Sequence, residues 1–189
     1  MPSTDKLIAL CQSGEREAQS TFYQKYRHEV VRTVYKVLGP DVDLEDVVQD
    51  VFIEVFRSID KFRGQAKITT WLYRVCVNIA LQKIRQKKRR PEGHLAPAHE
   101  VPVFETPQRS LERKESSALV YELLDTLSPK KRTVFILHEI MGLESKEIAK
   151  IVQANVLTVR TRLHYARKEF YQKALRTPLG KEHGQEQGA

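Results

Sequence analysis

Between residues 91 and 110 the chain carries Pro91, Gly93, Pro97, Pro102 and Pro107 among His and Glu, with neither a helical nor an alternating period. Proline fixes its own φ, removes a backbone donor and pushes the preceding residue out of the helical region, so breakers at this density forbid a continuous element. The segment reads as a flexible linker. It splits the chain of 189 residues into two parts, each of which must close its own core. On both sides apolar residues recur at three- and four-residue spacing, and β-branched residues follow that spacing and do not alternate. The expected fold class is therefore all-α: two small helical domains joined by a flexible linker. The expected boundaries are a first domain over 1–90, the linker over 91–110, a second domain over 111–176, and a disordered tail over 177–189, rich in Gly, Gln and charge.

Turn signals place the individual helices. In the first part they are expected near 3–14, 15–38, 43–59 and 66–89, with breaks at Gly14, at Gly39-Pro40 and around Phe62-Arg63-Gly64. In the second part they are expected near 111–126, 129–141, 145–152 and 156–174. Asp43 and Ser128 suit helix N-caps, the latter followed by Pro129 at the first helical position.

Charge narrows the class of partner. The formal net charge is +8, alongside 41% hydrophobic residues. Such a balance points to a polyanion, either nucleic acid or an acidic membrane surface. The two cysteines, Cys11 and Cys76, are far apart and in no metal-ligand spacing, which fits a reducing compartment. Residues Met1 to Leu10 lack the apolar core of a signal peptide, and no run approaches the ~18 apolar residues of a membrane span. A cytoplasmic protein without stable membrane insertion is expected.

Three constellations stand out. Over 41–54 lie six acids (Asp41, Asp43, Glu45, Asp46, Asp50, Glu54) and no Lys or Arg. On a helix, Leu44, Val47, Val48, Val51, Val55 and Ile59 form one core stripe, and Glu45, Asp46, Gln49, Asp50 and Glu54 lie opposite, with Ile53 and Phe56 among them. This face is either a solvated surface or a dock for a basic partner. From Arg57 to Arg90 the charge inverts, with Asp60 the one acid among eleven Lys and Arg. Within the helix, Trp71, Arg74, Asn78, Gln82 and Arg85 share one stripe. It is flanked by Ile68, Leu72, Val75 and Ile79 on one side and by Tyr73, Val77, Ala80 and Leu81 on the other. Cations bind phosphates, while amides and aromatic faces meet unstacked bases. Trp71 is equally consistent with a core position.

The third constellation lies in the second part. Leu143, Ile148, Ala149, Ile151 and Val152 pattern a short helix, Gln153-Ala154-Asn155 a brief turn, and Val159, Leu163, Ala166 and Phe170 the core side of a second helix. Its outer side is Leu157, Thr161, His164 and Lys168, flanked by Arg160, Tyr165 and Arg167. This is the helix-turn-helix layout, in which the second helix suits the major groove. No Gly-rich phosphate loop, zinc motif or nucleophile elbow appears, so no cofactor, metal or catalytic residue is expected.

Two ordered stretches resemble the extracytoplasmic-function (ECF) sigma factors of RNA polymerase. One runs from Asp43-Leu-Glu-Asp-Val-Val-Gln-Asp-Val-Phe through Phe62-Arg-Gly-Gln-Ala-Lys-Ile-Thr-Thr-Trp-Leu-Tyr-Arg to Asn78. The other runs from Leu124-Asp-Thr-Leu-Ser-Pro through Glu147-Ile-Ala to Thr158-Val-Arg-Thr-Arg-Leu-His-Tyr-Ala-Arg. The resemblance implies a factor that binds core polymerase and directs it to promoters. Asp46, Gln49, Asp50, Ile53 and Glu54 would meet the clamp helices of the β′ subunit. Phe62, Arg63, Lys67, Thr69 and Thr70 would form the loop that captures a flipped base of the minus-10 element, followed by Trp71, Arg74, Asn78 and Arg85. Leu157, Thr158, Arg160, Thr161, His164, Tyr165, Arg167 and Lys168 would read the minus-35 element. The second domain would also bind the β flap, and an anti-sigma factor is an implied partner. Val77 and Gln82 stand where the family usually has Arg and Asp, Gln153 and Leu157 where Gly is frequent, and Tyr165 where Arg is common.

Three rival readings are open to the residues alone. A stand-alone helix-turn-helix regulator would leave the acidic face idle. An enzyme acting on nucleic acid would need clustered carboxylates or a nucleophile beside the basic strip. A membrane-surface protein would need a broad apolar face.

Overall fold

The structure, a computed structural model, describes residues 3–40, 42–89 (side chains as far as 86) and 118–177. The expected linker, the start of the helix expected over 111–126 and the tail beyond Thr177 lie outside the described residues. Those described form two compact units, built from helices and turns alone.

In the first unit, α1 (Thr4–Gln12) begins at Ser3, whose hydroxyl accepts the Lys6 N–H. It stops before Gly14, where φ of +81° demands a residue without Cβ strain. The long α2 (Arg16–Leu38) ends at Gly39, whose N–H donates to the Tyr35 carbonyl over 2.8 Å. Asp43 caps α3 (Leu44–Ser58), its carboxylate accepting the Asp46 N–H as its position in the sequence predicts. A 3-10 turn (Ile59–Lys61) and an exposed loop lead into α4 (Ile68–Arg89).

Helices α1, α3 and α4 all pack on α2, which makes α2 the spine of the unit. Phe22 sits at its centre, fully buried, with its ring 4.6 Å from Tyr26 and 6.1 Å from Phe56. Truncating such a residue to Ala costs about 3–5 kcal/mol. The α3 stripe is buried as expected from Val47 to Ile59, joined by Phe52, while Leu44 is half-buried. Phe56 departs from the acidic side on which its position places it: its long side chain reaches back to Phe22 and Phe52. On α4 the buried arc is continuous, because Leu72, Cys76, Ala80 and Ile84 recur every four residues and join the two apolar flanks.

In the second unit, α5 (described over 118–125) is followed by α6 (Pro129–Phe135), then α7 (Ser145–Ile151) and α8 (Val156–Ala174). Ser128 occupies the N-cap position of α6 but makes no side-chain capping bond. The helix expected over 129–141 changes character halfway: Ile136–Ile140 form a π turn, with the Met141 N–H donating to Ile136 O over 3.0 Å. The wider turn keeps Ile136 and Leu137 fully buried and ends at Gly142, with φ of +71°. Between α7 and α8, Gln153 adopts φ of +49°, a left-handed conformation that costs an L-residue about a kcal/mol and marks a sharp reversal. Asn155 then caps α8 by accepting the Thr158 N–H over 2.6 Å. Helix α8 packs on α6 through Val159, Leu163 and Ala166, and the Phe170 ring lies 4.7 Å from Phe135.

Candidate nucleic-acid interface

Burial of Val47, Val48, Val51 and Val55 turns the other side of α3 outward. Asp46, Gln49 and Ile53 are exposed there, Ile53 to 58%, while Asp50 and Glu54 are half-buried. Ile53 borders a shallow groove shared with Tyr23, Glu45, Gln49, Phe52 and Phe56. Two of the acids already have cationic partners. Asp50 accepts an ion pair from Lys83 of α4 at 2.6 Å, and Glu45 one from Arg27 of α2 at 3.1 Å. The face is therefore less negative than its sequence reads, and its most open part beyond these pairs is Asp46, Gln49 and the apolar Ile53.

The loop between the 3-10 turn and α4 presents Arg63, Gly64, Gln65, Ala66 and Lys67 to solvent. Its base is fixed from α1: Gln12 Nε2 donates to Ile59 O at 3.0 Å and to Phe62 O at 2.9 Å. Phe62 is half-buried against Trp71, edge to face, with ring centroids 5.7 Å apart. Trp71 is thus neither a core residue nor fully free. The indole packs on Phe62 and is half-buried. Thr69, Thr70 and Arg74 are half-buried, whereas Asn78, Gln82 and Arg85 are exposed in line along α4.

Behind that strip the helix is held firmly. The Tyr73 hydroxyl bonds Glu29 of α2, and burial followed by this carboxylate raises its pKa to about 12. Burial raises the Cys76 thiol to about 12 as well. Neither group ionises at neutral pH, so the inner face of α4 stays uncharged and the cations stay on its outer face.

On α8, Leu157, Arg160, Thr161, His164, Tyr165, Arg167 and Lys168 are exposed and Thr158 is half-buried. The His164 and Tyr165 rings meet edge to face at 5.4 Å. Lys131 of α6 lies 5.7 Å over the Tyr165 ring and also pairs with Glu169. Arg167 is committed inward: its guanidinium bonds the Glu139 carboxylate at 2.6 and 2.7 Å, on the π turn. Unlike Arg160, Arg167 has its cation held by the protein's own acid. Arg160, Thr161, His164 and Lys168 make up the polar part of the outward stripe.

Residues 22–90 match the family described as Sigma-70 region 2, and residues 117–170 match Sigma-70, region 4. The RNA polymerase sigma-H factor of Pseudomonas aeruginosa is 32% identical over 183 residues, covering 92% of this chain and 94% of that protein. The chain belongs to the ECF RNA polymerase sigma factors. The ECF RNA polymerase sigma-E factor of Escherichia coli K12 is 33% identical over 171 residues, 86% of this chain and 89% of that one. Among solved structures, CnrH in complex with the cytosolic domain of CnrY shares the fold, with a TM-score of 0.60, 23% identity, and coverage of 88% of this sigma factor and 93% of that chain. So does RpoE of Bartonella quintana in complex with the anti-sigma factor NepR, with a TM-score of 0.60, 19% identity, and coverage of 84% of this sigma factor and 98% of that chain.

As a sigma factor the chain binds core RNA polymerase and directs it to promoters. No described helix is long and apolar enough to cross a membrane. Sequence reasoning missed three residues that shape this sigma factor's surfaces: Gln12, Lys83 and Glu139. Each acts through a partner on another helix, and no periodic signal relates residues so far apart. The π turn that carries Glu139 left no recognisable mark either.

Proposed function

We propose that this sigma factor divides promoter recognition among three surfaces. The outward side of α3, with Asp46, Gln49, Asp50, Ile53 and Glu54, docks on the clamp helices of the β′ subunit. The loop from Phe62 to Lys67 and the first turn of α4, with Thr69, Thr70, Trp71, Arg74, Asn78 and Arg85, capture an unpaired base of the minus-10 element and hold the adjoining phosphates. The outer stripe of α8 reads the minus-35 duplex, while the second unit also engages the β flap. The protein works in the cytoplasm, by binding and without bond chemistry, and is held in check by an anti-sigma factor, as RpoE of Bartonella quintana binds the anti-sigma factor NepR.

The observation that carries this reading is the exposed line of Asn78, Gln82 and Arg85 on a helix whose opposite side, from Leu72 to Ile84, is buried. A strip of amides and cations beside a half-open aromatic pair suits single-stranded nucleic acid better than a protein surface. Unstacking a base costs a few kcal/mol, offset by pocket contacts and phosphate attraction. Run-off transcription with core polymerase on a pool of genomic fragments tests it. Discrete transcripts that disappear when Asn78 and Arg85 are replaced by Ala support the reading. Transcription independent of both residues removes α4 from promoter opening.

A further inference from the structure

Leu157 is the most exposed large apolar residue described, at 73%. It is the second residue of α8, two positions after the Asn155 cap. At about 100° per residue, Leu157, Thr161, His164 and Lys168 share the outermost stripe, with Arg160 beside them. All five are exposed, while Val159, Leu163 and Ala166 on the opposite side are buried and fix the rotation of the helix. Leu157 cannot turn inward without pulling these three out. An isobutyl group is therefore held in water at the N-terminal end of a stripe otherwise made of a hydroxyl, an imidazole and cations.

The first turn of a groove-reading helix is where side chains reach base edges. The edges there offer hydrogen-bond donors and acceptors and one apolar group, the C5-methyl of thymine. We propose that Leu157 is a specificity-determining residue that packs on the C5-methyl of a thymine in the upstream promoter element, next to the base pairs met by Arg160 and Thr161. The inference rests on α8 being the helix that reads that element. It adds which base Leu157 selects and by what contact.

The test uses the full chain with core polymerase and a promoter recovered by run-off from genomic fragments. Each thymidine of its upstream element is replaced singly by deoxyuridine, which removes the methyl and leaves the hydrogen-bonding edge intact. At one position the replacement should weaken binding about fourfold, the value of burying one methyl-sized apolar group. Leu157→Ala should weaken binding to the thymine duplex at least as much and show no response to deoxyuridine at that position, since the two changes remove one shared contact. Leu157→Met, which keeps an apolar contact, should retain the response. All variants should melt at the wild-type temperature, because the side chain is exposed. Equal wild-type binding to every deoxyuridine duplex overturns the proposal. So does a Leu157→Ala loss that is the same with and without the methyl, which would mean that Leu157 meets a protein surface. In both cases an effect of Arg160→Ala leaves α8 as the reading helix. If Arg160→Ala and Thr161→Ala are also silent on every duplex, that reading fails together with the proposal.

Discussion

Lys83 of α4 reaches Asp50 of α3 with 2.6 Å between ammonium and carboxylate, joining the proposed polymerase-docking helix to the proposed strand-binding helix. The side chains are 35% and 43% exposed, so the pair contributes little to stability, about 0–1 kcal/mol. Its consequence is in what it withholds: each partner is partly neutralised before polymerase or promoter arrives.

The first prediction follows from that pair. Asp50→Lys should cut binding to core polymerase by about 2–5 kcal/mol if the carboxylate is desolvated in the complex. It should lower stability by no more than about 1 kcal/mol, the scale of an exposed pair. The double variant Asp50→Lys with Lys83→Asp restores the pair but not the docking charge, so its melting temperature should recover while its core affinity does not. Co-sedimentation with core polymerase, beside a thermal melt, separates the two. Recovery of both would show that Asp50 serves only the fold.

Gln12 is the second target. Its amide satisfies the Ile59 and Phe62 carbonyls at the root of the loop that leads into α4. Gln12→Ala should destabilise the protein by about 1–3 kcal/mol, because two part-buried acceptors lose their donor. The loop should also lose its fixed base. Permanganate footprinting on a melted promoter should show weaker opening, whereas protection of the upstream duplex should be unchanged. An equal loss of both would mean that Gln12 supports folding generally.

Third, two arginines of α8 should behave differently. Arg160 is exposed on the outer side, whereas Arg167 is bound to Glu139. Arg160→Ala should cost about 1–3 kcal/mol on the matched promoter and relax selectivity at one upstream base pair. Arg167→Ala should instead lower thermal stability slightly and weaken matched and scrambled upstream elements alike. Binding curves on both duplexes at one salt concentration decide this. Selectivity lost with Arg167→Ala would mean that its bond to Glu139 opens on DNA.

The fourth prediction concerns alkaline pH. Tyr73 and Cys76 are both raised to about 12 in the folded protein, from ordinary values of 10.0 and 9.0. A group with a raised folded pKa adds stability below its unfolded pKa and loses it as pH climbs toward the folded value. Stability should therefore decline between about pH 9 and 12. Tyr73→Phe should flatten the upper part of that decline, because it removes one ionising group. Urea melts across this range provide the measurement. By the same logic Cys76, only 1% exposed, should resist alkylation at neutral pH until the first unit unfolds.

The residues by themselves determined the class of this protein and the course of its helices. Apolar spacing, the Asp43 cap and the breaks at Gly14, Gly39 and Gly64 are local, and each acts within a few residues of chain. The acidic and basic faces were legible for the same reason, since a helix repeats its sides every three to four residues. Tertiary structure alone decided which charges remain available. Asp50 is taken by Lys83, Glu45 by Arg27, Arg167 by Glu139 and Glu169 by Lys131. Each of these pairs joins two different helices, so it depends on crossing geometry that no local pattern encodes. Packing likewise drew Phe56 inward and set Trp71 on edge against Phe62. Local periodicity assigns a residue to a side of its helix; only the neighbouring helices determine what that side meets.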